Sequence, residues 1–160
     1  MSRRTRMLVA SAAAVLVMVP GIALAGAGTG NDTDDEAQMM RDVMRVAHAN
    51  FVAYNDKKWD EFRLTFTDDA LMLPPNQEPV RGPGAITDLH RDLRDVVGAV
   101  DLESFEVVRP RANGKIANLV YTFTTQSHVR LMSDVLYERQ PNGSVLLGVL
   151  QVGLREQPVG

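Results

Sequence analysis

Two hydrophobic periods divide this 160-residue chain, and the point where one replaces the other fixes the class of fold it can adopt. Up to about Val97 the apolar residues recur every three or four positions, the spacing of a helix with one buried face. From Leu102 onward they recur every second position, the spacing of strands with one buried face. Met40, Val43, Ala47, Phe51 and Tyr54 form the first stripe and predict a helix over 35–54, opened by a Thr33–Glu36 capping box. Asn55-Asp56-Lys57-Lys58 breaks it, and Trp59, Phe62 and Phe66 mark a shorter helix over 59–66. Ala70 to Leu73 reads as a strand stopped by Pro74-Pro75, and 79–82 as a brief return strand. Pro83 suits the first turn of a third helix running to Val97, with Ile86, Leu89, Leu93 and Val97 on its buried side.

Four strands follow over 104–111, 116–128, 130–139 and 145–154, with turn signals at Asn113-Gly114 and Pro141-Asn142-Gly143. Helices first and strands after, segregated in this way, give an α+β domain. The expected architecture is three N-terminal helices packed on one strongly curved, mostly antiparallel sheet. Wrapped round the first helix, such a sheet leaves a cavity between the two.

Ahead of this domain, Arg3, Arg4 and Arg6 precede the apolar run Met7 to Ala25, which closes on Ala23-Leu24-Ala25. A charged start, an apolar stretch and a small-x-small end read as an export signal over 1–25, cleaved after Ala25. The alternative is an uncleaved membrane anchor, since the run approaches the length that spans a bilayer; its many alanines and Pro20-Gly21 favour cleavage. Ser2-Arg3-Arg4 is similar to a twin-arginine signal, but Arg6 stands where that pattern needs an apolar residue, which favours ordinary secretion. The expected destination is outside the cell or the cell envelope. Residues 26–35 read as a flexible tether and 36–157 as the folded domain. Cleavage removes three of the 17 basic side chains and none of the 20 acidic ones, taking the formal charge from −3 to −6. So acidic a product is not expected to bind nucleic acid.

The absence of cysteine excludes disulfides, thiolate metal sites and cysteine nucleophiles. The three histidines are far apart in sequence, and the acidic run Asp32-Asp34-Asp35-Glu36 lacks the spacing of a calcium loop, so no metal site is expected. There is no Gly-rich phosphate loop, nucleophile elbow or dinucleotide fingerprint, so no cofactor is expected either.

The stretches FVAYNDKKWDEFRLTFTDDALMLPPN and EPVRGPGAITDLHRDL resemble the SnoaL-like and ketosteroid-isomerase-like branches of the nuclear transport factor 2-like superfamily. Asp68-Asp69-Ala70, Arg81-Gly82 and Ala85-Ile86 carry the likeness, and YERQPNGSVLLGVLQ looks like the family's last hairpin. The resemblance implies a cone-shaped fold whose helical and sheet walls enclose a largely apolar pocket, and a homodimer formed through the convex sheet face. Phe51, Tyr54, Phe66, Met72, Pro74, Leu89, Leu136, Leu150 and Val152 are the residues expected to line that pocket. The fold hosts isomerases, cyclases, hydrolases, dehydratases and non-enzymatic binders, so it does not choose among them.

Residue types narrow the choice. Steroid isomerisation needs a carboxylate base and donors to the developing enolate oxygen. Aligned on Asp68-Asp69-Ala70, the resemblance puts Pro74 at the base, Phe51 and Phe66 at two tyrosines, and His90 at a third. Only the acid on the penultimate strand persists, as Asp134. The chemistry that remains is a His90–Asp134 pair, in which the carboxylate orients an imidazole acting as acid or base. Against it stand plainer placements: His90 at the solvent edge of its helix beside Arg91 and Arg94, and Asp134 paired with Arg130 or Arg139. A one-residue slip in strand register would also turn Asp134 outward. His48 is expected on a solvated helix flank and His128 in a turn. The first reading is therefore an exported domain that binds a small apolar or amphipathic molecule. The alternative is a cofactor-independent isomerase, cyclase or lyase using Asp134 and His90.

Overall fold

The structure, a computed structural model, describes residues 30–154. The export signal, Ala25 and residues 26–29 of the expected tether lie outside the described residues, as do 155–157 at the end of the expected domain. Three helices, α1 (Gly30–Asn55), α2 (Trp59–Arg63) and α3 (Pro83–Val97), accompany six strands. The strands are β1 (Phe66–Leu73), β2 (Val80–Arg81), β3 (Val100–Ala112), β4 (Ile116–Thr125), β5 (Arg130–Arg139) and β6 (Val145–Leu154). They form one sheet in the order β2-β1-β6-β5-β4-β3, antiparallel except where β1 runs parallel to β6. This is the α+β arrangement expected, with the helices N-terminal to most of the sheet.

Several local expectations are corrected. Strand β3 begins at Val100, four residues before the expected start at 104, and β4 ends at Thr125 instead of 128 because residues 126–128 form a turn. Helix α1 starts at Gly30, so residues 30–35 of the expected tether are helical and Thr33 lies in the first turn instead of capping it. Asp34, Asp35 and Glu36 favour this extension, because acidic side chains complement the positive end of the helix dipole. Met39, not Met40, leads the buried stripe that continues through Val43, Ala47, Phe51 and Tyr54. Helix α2 stops at Arg63 and β1 starts at Phe66, four residues before the expected strand. Thr65 makes the switch: its hydroxyl donates to the Phe62 carbonyl at 2.6 Å, while its own carbonyl already accepts the Leu147 N–H at 2.8 Å.

Irregular register curves the sheet. Pairing slips between Asp101 and Glu106 and between Val107 and Arg109 on β3, and between Leu136 and Tyr137 on β5 against β6. Bulges of this kind bend a strand and increase its twist. The concave face carries Leu119, Tyr121 and Phe123 of β4, Val135 and Tyr137 of β5, and Leu147 and Leu150 of β6, all buried.

Helix and sheet are fastened at both ends of α1. At the N-terminal half, Arg139 of β5 donates to Asp42 at 3.1 Å and to the carbonyls of Gly114 and Gly143, also at 3.1 Å, so one guanidinium joins the helix to two hairpin turns. Burial pushes the Asp42 carboxyl up, but hydrogen bonds from Gln38 and Arg139 and the charges of Arg139 and Arg45 outweigh it and hold the group below its ordinary value. At the C-terminal end, Asn55 acts as a backbone surrogate. Its amide donates to the Val100 carbonyl and its carbonyl accepts the Val100 N–H, both at 2.8 Å. Gly98, just before β3, adopts φ +79° and lies so near Gln126 and Ser127 that a side chain there would be strained and crowded.

Replacing Asn55 with alanine strands both Val100 groups. Asn55→Ala is expected to lower the unfolding free energy by about 1–3 kcal/mol in urea titrations; a change below about 0.5 kcal/mol would show that the α1–β3 tie is dispensable.

Candidate functional site

Between the concave sheet, the second half of α1 and one face of α3 lies a cavity of about 200 Å³. Helix α1 contributes Asn50, Phe51 and Tyr54, and α2 contributes Phe62. From α3 come Leu89, His90, Leu93 and Val97, residues whose spacing places them on one helix face. The sheet wall consists of Met72, Tyr121, Phe123, Leu131, Ser133, Leu147, Leu150 and Val152, with Pro74, Pro75 and Gln77 after β1 and Val100 and Thr125 completing the lining. Pro75 and Gln77 are solvent-exposed, which puts the mouth of the cavity at this turn. No Asp, Glu, Lys or Arg of the described residues lines it.

Two aromatic groups shape the interior. Phe51 stands edge-on to Phe105, Tyr121 and Phe123, with ring centroids 5.6, 5.7 and 5.2 Å away. Nearer α3, the His90 ring has Phe62 at 4.9 Å, Tyr54 at 6.1 Å and Phe66 at 6.5 Å.

His90 is the distinctive polar group of the site. Its Nδ1 lies 2.8 Å from the Ile86 carbonyl one turn earlier. A carbonyl only accepts, so in the neutral ring Nδ1 carries the proton and Nε2 keeps its lone pair. Burial among apolar and aromatic side chains lowers the His90 pKa, and the carbonyl hydrogen bond only partly offsets this, so the imidazole is neutral at pH 7. The other polar groups are largely engaged with the protein. Asn50 donates to the Thr65 hydroxyl at 2.7 Å, and the Tyr54 hydroxyl contacts the Gly98 carbonyl at 3.3 Å. Tyr121 faces Ser133 across the β4–β5 ladder. Burial pushes the Tyr121 phenol well above its ordinary pKa, opposed by the nearby hydroxyls of Tyr137 and Ser133. The Tyr137 hydroxyl itself is buried, and no group of the described residues meets hydrogen-bond geometry with it.

Of the residues expected from sequence, Phe51, Tyr54, Met72, Pro74, Leu89, Leu150, Val152 and His90 line the cavity. Three do not. Phe66 is buried behind Phe62, whose ring stands 5.2 Å from it and takes the place at the cavity wall. Leu136 and Asp134 are the larger correction. Leu131, Ser133, Val135 and Tyr137 point to the concave side of β5, so alternation sends Asp134 and Leu136 to the convex side. There Asp134 accepts a hydrogen bond from the Asn118 amide on the neighbouring strand. The sheet separates Asp134 from His90, and the expected pair is not formed. Neither does Asp134 meet the arginines proposed for it: Arg130 reaches Glu106 at 3.4 Å, and Arg139 reaches Asp42. His48 is exposed on its helix and His128 occupies a turn with φ +60°.

The expected lining covers fewer than half of the residues that border the cavity, and among those it leaves out are Asn50, Thr125, Leu131 and Ser133. For Leu131 and Ser133 the available signal was parity, since both share it with Val135 and Tyr137. For Asn50 there was none, because a polar residue on a helical stripe reads as its edge.

A depressed histidine pKa has a defined effect on stability. The unfolded chain takes up a proton on this residue near pH 6.5, whereas the folded protein does so only at lower pH. As pH falls below that value the unfolded state is selectively protonated and stability declines. Between pH 7 and pH 5 the urea midpoint of the wild type should therefore fall further than that of His90→Phe; parallel curves would show that His90 titrates like a solvated imidazole.

Neither family models nor curated proteins match this sequence. Solved structures do match. A ketosteroid isomerase-like protein from Erwinia carotovora atroseptica superimposes with a TM-score of 0.56 at 14% identity, covering 71% of this chain and 94% of that one. An NTF-2-like protein of unknown function from Silicibacter pomeroyi gives 0.60 at 12% identity, covering 74% and 98%. A protein of unknown function with a cystatin-like fold from Nostoc punctiforme gives 0.63 at 12% identity, covering 76% and 94%. At such identities the likeness is one of fold, and by that measure the chain has the nuclear transport factor 2-like fold.

Proposed function

We propose that this is an exported single-domain protein that holds a small apolar or amphipathic molecule in its cone and does not transform it. The observation that carries the reading is the chemistry of the cavity wall: about 200 Å³ enclosed by apolar and aromatic side chains, with no charged side chain of the described residues among them. Concave, mostly apolar and sparsely polar is the description of a small-molecule site. The carboxylate expected to stabilise a charged His90 during isomerase, cyclase or lyase chemistry, Asp134, lies on the other face of the sheet, and the Ile86 carbonyl that orients the ring carries no compensating negative charge. Export rests on the Arg3, Arg4, Arg6 and Met7–Ala25 pattern. A homodimer through the convex face belongs to the same reading, since Val120, Leu136 and Val149 are only partly buried there and Met132 is 41% exposed.

Toluene is a suitable neutral probe, followed through methyl resonances in NMR titrations. Saturable shifts confined to lining residues such as Leu89, Leu131 and Val152 are expected. Leu150→Trp should weaken that binding at least tenfold while far-ultraviolet circular dichroism stays unchanged. A wild-type protein that shows no saturable shift would overturn the reading.

A further inference from the structure

We infer that the cavity selects a neutral, single-ring-sized molecule bearing one hydroxyl, a phenol or a compact alcohol, whose O–H donates to His90 Nε2. The inference rests on the binding reading above and adds the identity of the guest. Three observations converge on it.

Size is the first. A cavity of about 200 Å³ is a little larger than the roughly 150 Å³ apolar cavity that accommodates benzene. One ring with small substituents fits; a four-ring skeleton does not. Charge is the second. A carboxylate or ammonium taken into this lining would lose its hydration and meet no counter-charge among the described residues, a cost that only ion pairing offsets.

The third is an unspent imidazole acceptor. Nδ1 of His90 is committed to the Ile86 carbonyl at 2.8 Å, and no group of the described residues hydrogen-bonds Nε2. The rings of Phe62 and Phe66 beside the imidazole offer no donor to compete for it, and the nearby Tyr54 hydroxyl donates instead to the Gly98 carbonyl at 3.3 Å. A guest with a hydroxyl donor satisfies this nitrogen. A guest carrying only acceptors places its lone pairs against that of Nε2 and leaves both unsatisfied, which is costly in a dry site. Recognition by a buried polar group that punishes the wrong partner is how apolar sites obtain chemical selectivity.

The test compares phenol, its methyl ether anisole, toluene and benzoate on the full chain, in the wild type and in His90→Phe, by NMR titration. Phenol is expected to bind the wild type at least tenfold more tightly than anisole, a difference of about 1.4 kcal/mol. That preference should collapse in His90→Phe, with toluene binding retained and benzoate binding neither protein. In the unaltered protein, phenol should shift the 15N resonance of His90 Nε2 upfield while anisole leaves it in place, a readout that stands even if the variant folds poorly. Equal binding of phenol and anisole by the wild type, or an unmoved Nε2 resonance on phenol saturation, overturns the hydroxyl assignment and leaves the apolar pocket intact. Failure of toluene and phenol alike overturns the pocket reading and this inference with it.

Discussion

Phe51 is the wedge on which the arrangement turns. Its ring points from α1 into a nest of Phe105, Tyr121 and Phe123, and the edge-on contacts fix how closely the helix approaches the sheet at that level. Aromatic pairs of this geometry add about 0.5–1.5 kcal/mol each beyond the area they bury. Bulges in β3 and at the β5–β6 junction meanwhile bend the strands so that the concave face does not lie flat against α1. Between the wedge and the inner face of α3 the two surfaces diverge. The cavity is thus a consequence of how helix and sheet are held apart, with Asn55 and Arg139 fastening α1 beyond either side of it.

The same geometry decides which chemistry is within reach. On α3, i to i+4 spacing brings His90 next to the Ile86 carbonyl and turns the imidazole toward the apolar side. On β5, strict alternation brings Ser133 inward and sends Asp134 outward. A neutral imidazole whose Nδ1 proton is held by a backbone carbonyl presents Nε2 as a hydrogen-bond acceptor. The convex pairing of Asp134 with Asn118 therefore bears on function as much as the lining does.

Much of this was legible in the sequence where a single period dominates. The bounds of α3, β5 and β6 coincide with the elements read from spacing, because Ile86, Leu89, Leu93 and Val97 admit one helical face and the Asn142-Gly143 turn pins the last hairpin. The faces of β5 were harder to read. Leu131, Val135 and Tyr137 stand on one parity and Met132 and Leu136 on the other, so both faces look apolar and hydrophobicity alone does not assign Asp134 a side. Phe66 was misplaced for a different reason. Phe62 and Phe66 share a helical spacing, but the helix ends at Arg63, and Phe66 enters β1 behind the ring it was expected to accompany. The start of α1 follows from end-of-helix electrostatics, which an apolar stripe does not record.

The central claim is that an open apolar space persists between Phe51 and His90. A crystal of the protein equilibrated with xenon under pressure examines it directly, since xenon occupies dry cavities of this size without needing any polar recognition. Strong anomalous density in that space, bordered by Leu89, Leu131 and Leu150, is the result the account predicts. Absence of bound xenon, with the neighbouring side chains closed over the space, would contradict it.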